Sequence, residues 1–145
     1  MLMKCSTDEW NHVVRLAVLL SEAADCDSEK SARRRYFSFL RALLKKYGDD
    51  ADILASIADF YIYDRPAVSL LKKAYACALK NGDRKNLTFI SASLASRLIC
   101  SGNFNIQDGA CWLKRLRKNL LIYPDEQARL EYRECCRVFK EKMRV

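Results

Sequence analysis

The side chains best equipped for chemistry in this chain are its thiols, its one imidazole and its paired carboxylates. Seven cysteines lie at 5, 26, 77, 100, 111, 135 and 136, with no C-x-x-C pair and with His12 the single histidine among 145 residues. Structural metal sites draw on clustered Cys and His donors at short spacings, so no metal site is expected. Cys77, Cys100 and Cys111 fall within apolar helical stripes, where a free thiol behaves as a small buried hydrophobe in a reducing compartment. The Cys135-Cys136 pair is the one place where redox chemistry would be sought.

His12 stands beside Trp10 with no acidic or cysteine partner at ligand spacing, which marks it as a structural or surface histidine. The acid pairs Glu131 with Glu134 and Asp52 with Asp59 each lie near arginines or at helix starts, where carboxylates serve solubility and the helix dipole. Four glycines cannot build a phosphate-cradling loop, and neither a nucleophile elbow nor H-E-x-x-H occurs. The expectation is a protein without an active site, cofactor or small-molecule substrate, which works by binding.

Binding directs attention to the cations. Through Lys72 there are 11 Lys and Arg against 11 Asp and Glu, and from Lys73 onward 15 against 7, so the net charge of +8 belongs to the second half. Such a field favours encounter with an acidic partner. The residues expected to carry binding are Arg97, Lys114, Arg115, Lys118, Arg129, Arg133 and Arg137, each able to donate charge-assisted hydrogen bonds to carboxylates. Arg33, Arg34 and Arg35, with Arg41, Lys45 and Lys46, read instead as a solvated helix face, with nucleic-acid contact the lesser reading.

The elements that must position these groups are all helical. Leu, Ala, Arg and Lys dominate, and four glycines with two prolines leave too little punctuation for a sandwich or barrel. Ser6-Thr7-Asp8-Glu9 has the spacing of a capping box and opens a first helix through Trp10, Val13, Val14, Ala17 and Leu20. A second places Ala32, Tyr36, Phe39, Leu40, Leu43, Leu44 and Tyr47 on one face. A third, capped by Asp49 or Asp50, carries Ile53, Leu54, Ile57, Ala58 and Tyr61. The turn Tyr63-Asp64-Arg65-Pro66 leads to a fourth with Ala67, Leu70, Leu71, Ala74, Ala78 and Leu79.

The stretch Asn86–Gln107 has Arg97 as its lone charge and Leu87, Ile90, Leu94, Ala95 and Leu98 at helical intervals, so it is expected to be the central post, stopped by Gly102. A sixth helix, capped by Asn105, turns Trp112, Leu113, Leu116 and Leu120 inward. Pro124 starts a seventh, whose stripe is Ala128, Tyr132, Cys135, Cys136, Phe139 and Met143.

Hairpins of this kind recur at about 35 to 40 residues, the interval of stacked helical repeats. Leu94-Ala95 followed by Leu98, Gly102 and Phe104 resembles the first helix and turn of a tetratricopeptide repeat. Ala58 with Tyr61, then Tyr75 and Ala78-Leu79, is similar to another, and Tyr123-Pro124 sits where that family places its closing proline. The resemblance spans roughly residues 50 to 125, departing from the pattern at Leu71 and in the extra residues after Phe104. It implies a right-handed α-α superhelix of three antiparallel hairpins and a capping helix that binds proteins or peptides in its groove. Residues 1–145 are expected to form a single such domain.

MLMKCSTDEW offers no secretion signal and no apolar run reaches bilayer length, so a cytoplasmic protein is expected. In kind, a freestanding helical domain with only a binding surface resembles bacterial immunity proteins that neutralise a cognate toxin, and repeat-type secretion chaperones. An acidic or mixed-charge protein is the expected partner. RNA or DNA on the same basic half is the alternative, disfavoured because Trp112, Tyr132 and Phe139 fall in inward stripes and no nucleic-acid reader motif occurs. The last helix lacks the broad Trp, Phe and Leu face of a membrane-surface helix.

Overall fold

A computed structural model describes residues 4–101 and 105–144. The described residues form seven α-helices: α1 (Thr7–Ser21), α2 (Cys26–Tyr47), α3 (Ala51–Asp59), α4 (Asp64–Lys80), α5 (Arg84–Cys100), α6 (Ile106–Ile122) and α7 (Glu126–Met143). Most starts follow from a short polar side chain that accepts from an otherwise unpaired backbone N–H. Ser6 and Glu9 complete the capping box of α1, and Asp25, Asp50, Asp83, Asn105 and Asp125 cap α2, α3, α5, α6 and α7. Helix α4 lacks a side-chain cap and already includes Asp64 and Arg65. The expected turn there is shorter than read, and Pro66 occupies the first turn of the helix, where its missing N–H costs nothing. Likewise α7 begins at Glu126 after its Asp125 cap, two residues beyond the expected start at Pro124.

Helix α5 is the central element, packing against α3, α4, α6 and α7. Leu87, Ile90, Leu94, Ala95, Leu98 and Ile99 are buried along it, and so are Thr88 and Ser91. Both hydroxyls are satisfied. Thr88 donates to the Asn119 and Tyr123 carbonyls at 3.2 and 3.1 Å, and the Asn119 amide points at Ser91 Oγ, Tyr75 Oη and the Leu87 carbonyl at 3.2, 3.1 and 3.2 Å. This clasp fixes the end of α6 against α5 and α4, since sliding would strand several buried polar groups at once. The Gly102 stop and Phe104 lie outside the described residues.

Two apolar clusters result, one of α3 to α7 around α5 and one joining α1, α2 and α3. Several inward assignments shift along the helix. Leu16, not Val14, completes the buried stripe of α1, and Phe37, not Phe39, that of α2. Cys100 and Cys111 are exposed rather than buried, while Cys135 is the buried thiol and Met143 lies half exposed. Each of these positions borders its helix's apolar stripe, where the neighbouring helix decides which edge is covered.

Candidate basic interface on the last two helices

The cations expected to bind separate into four groups, with Arg115 by itself. Arg97 does not join the others. It projects from α5 toward the end of α3, where its guanidinium meets Asp64 at 3.1 Å and donates to the carbonyls of Ala58 and Tyr61 at 3.0 Å each, and of Asp59 at 3.5 Å. These carbonyls lie at or just past the C-terminus of α3, a helix end that leaves acceptors without intrahelical partners. The planar fork answers them together and ties α5 to the α3–α4 corner. Sequence showed a lone charge on a neutral helix; an isolated cation there was the mark of an internal cap.

Arg129 and Arg137 form the second group, and acids of their own helix engage them. Arg129 faces Glu126 at 3.8 Å, while Arg137 pairs with Glu134 at 2.5 Å and Glu141 at 2.6 Å. The hydrogen bond from Arg137 holds the Glu134 carboxyl below its usual range, and Glu134 and Glu141 push the guanidinium further up. All are solvent-exposed, so these pairs organise the face of α7 more than they stabilise it.

Lys114, Lys118 and Arg133 make the third group. Together with Arg117, they are exposed and enter no ion pair among the described residues. Arg115 lies 4.4 Å above the Trp112 ring, which itself meets Tyr75 edge-on with centroids 4.9 Å apart. That stacking leaves its charge available while restricting its rotamers.

Beside these cations stands an apolar edge that sequence reading missed. Leu121 is 80% exposed and Ile122 56%, and Tyr123 and Leu130 follow across the turn into α7. Lys114, Lys118 and Leu121 recur at helical spacing on one stripe. The signal was present in Leu120-Leu121-Ile122-Tyr123, a run too long for a single amphipathic face, so that some members must point outward.

The groups considered for chemistry are dispersed. His12 packs edge-on against Phe39, its ring centroid 4.5 Å away. Cys135 is buried, and desolvation pushes its thiol up to about 12, which suppresses the reactive thiolate. Among the described residues no helix is long and apolar enough to cross a membrane, and no group of three His, Cys, Asp or Glu could hold a metal. No family model, curated protein or solved structure matches the chain.

Proposed function

We propose that this chain is a non-enzymatic protein-binding module, a small inhibitor of the immunity-protein kind or a chaperone, that captures an acidic or mixed-charge protein such as a toxin. The contact runs along the outer face of α6 and the turn into α7. One observation carries the reading: the unpaired Lys114, Arg117 and Lys118 lie on the helix that ends in the exposed Leu121 and Ile122. A protein interface needs an apolar centre that loses water and a charged margin that sets orientation, and this surface offers both. Seven free thiols suit the reducing cytoplasm. The reading assigns no catalytic residue and no cofactor.

The test is affinity purification of the tagged chain from its native cytosol, with and without nuclease, beside a Lys114→Glu/Lys118→Glu/Leu121→Asp variant. One stoichiometric protein that survives nuclease and is lost with the variant supports the proposal. Recovery of nucleic acid alone, or a partner indifferent to the three substitutions, overturns it.

A further inference from the structure

The most electropositive helix of the molecule is not in its basic half. Between Lys30 and Lys46, α2 carries seven Lys and Arg and no Asp or Glu. Arg35 and Lys46 turn toward α1, where Lys46 meets Glu9 at 3.0 Å. Lys30, Arg34, Arg41 and Lys45 form a separate exposed stripe and enter no ion pair among the described residues. At its middle a shallow depression of about 510 Å³ is lined by Lys30, Arg33, Arg34, Phe37, Ser38 and Arg41. The Arg33 and Arg41 guanidiniums sit 5.9 and 5.8 Å from the same Phe37 ring centroid. Arg33 is anchored further by the Phe60 carbonyl at 2.5 Å and Glu29 at 3.1 Å, which leaves the four stripe cations to face outward.

We infer that this face of α2 is a docking surface for the phosphate backbone of duplex nucleic acid, separate from the protein surface on α6 and α7. Three observations choose that occupant. The stripe from Lys30 to Lys45 extends roughly 22 Å at 1.5 Å per residue, long enough to meet several successive phosphates. None of the exposed large apolar side chains belongs to α2, so the face lacks the dewetted centre of a protein interface. Phe37, the ring in this depression, is buried, as is Tyr36, while the half-buried Phe39 and Tyr47 engage His12 and Glu9 of α1, so unstacked bases of a single strand find no platform here. What remains is a row of cations suited to charge alone, and therefore to backbone contact without sequence preference.

The test is fluorescence anisotropy of the full chain with a mixed-sequence DNA duplex of about 20 base pairs and the matching RNA duplex, titrated over ~50 to ~200 mM KCl. Four phosphate contacts predict a slope of log K on log salt near −3.6 on DNA, or about a hundredfold loss of affinity across that range. Arg34→Gln/Arg41→Gln should flatten the slope by about two units, because two of the four contacts are gone. Both positions are exposed, and circular dichroism checks that the variant folds. Lys114→Gln/Lys118→Gln should leave the slope unchanged, which separates this surface from the protein-binding one. Absence of binding at the lowest salt overturns the inference. So does an unaltered slope in the α2 variant, a tenfold preference among DNA sequences, or a doubly phosphorylated peptide that displaces the duplex at equal phosphate concentration.

Discussion

Helix α2 places seven Lys and Arg between Lys30 and Lys46 without one acid, whereas α7 interleaves five Lys and Arg with four glutamates from Glu126 to Met143. The consequence is visible in the pairing. In α7, Arg129 and Arg137 are answered by Glu126, Glu134 and Glu141 of the same helix, and Lys142 donates to the Ile99 and Ser101 carbonyls at the end of α5. Along α2 the acids that balance the count stand outside the stripe. Asp25 and Asp50 are spent on helix caps, and Asp49 reaches across to Lys73 at 3.5 Å. A half with zero net charge thus holds a helix whose last four turns carry no acid, and a half with all the excess holds a helix that is nearly neutral. Field strength at a surface follows the arrangement of charge within a screening length of about 10 Å, not the sum over a hundred residues.

The comparison implies that committed cations matter to the fold and open ones to binding. Arg97 is the strongest case of commitment, and its loss is the largest effect expected. Arg97→Ala leaves Asp64 and the carbonyl cluster at the end of α3 without their donor, which should cost about 2 to 3 kcal/mol of unfolding free energy. The partial exposure of Asp64 keeps the figure below that of a fully buried pair. Urea unfolding measures it, and Arg97→Lys should recover only part, since an ammonium cannot present a planar fork to several acceptors. A fully stable Arg97→Ala would move Arg97 back among the free surface cations.

Salt should act on the two helices with opposite sign. Raising ionic strength from about 20 to about 200 mM screens attraction within the α7 pairs and repulsion along α2. Amide hydrogen exchange should therefore slow in the outer turns of α2 and quicken around Glu134 and Arg137. Arg41→Gln should remove part of the α2 response and Arg137→Gln most of the α7 response. The same direction in both helices would mean that pairing, as opposed to composition, is not what distinguishes them.

Much of this architecture was legible beforehand because it rests on local codes. The Ser6-Thr7-Asp8-Glu9 box, the cap at Asn105 and the apolar spacing of Trp112 and Leu116 each specify a helix within a few residues. The seven helices of the described residues follow from repeating such signals. Harder to see was which edge of each stripe a neighbour would cover, because crossing geometry, not sequence period, decides that Leu16 is buried and Val14 is half exposed. The site was less legible still. Arg97 and Lys114 are both cations on helices, and only the position of the α3 carboxyl end, about 40 residues away in sequence, makes one a cap and leaves the other in solvent. The α2 stripe was visible as composition, but its freedom from acids was hidden by counting charge over half the chain.

The smallest expected effect concerns Glu9, the one acid from another helix that pairs with a cation of α2 among the described residues. Glu9 closes the capping box of α1 and also accepts from Tyr47 and Lys46 at the end of α2. The Tyr47 hydroxyl, the Ser6 N–H and Lys46, in that order, hold its carboxyl down to about 2. Because the folded value lies below the unfolded one of ~4.3, the contribution is present above that value and fades as pH falls toward the folded value. Thermal melts from about pH 6 down to about pH 2.5 should therefore show a steeper acid-side decline for the native chain than for Glu9→Gln, whose uncharged amide has no proton to take up. Tyr47→Phe removes the leading cause of the depression, so its decline should begin at the same pH as that of the native chain but be smaller and level off at a higher pH. Glu134 offers the contrast, since its carboxyl is also depressed but by Arg137 of its own helix. Neutralising it as Glu134→Gln should fray α7 locally while leaving the junction of α1 with α2, and hence the acid-side melting profile, close to native. Indistinguishable acid profiles for Glu9→Gln and Glu134→Gln would show that a bridge between helices confers no more cooperativity than a pair within one.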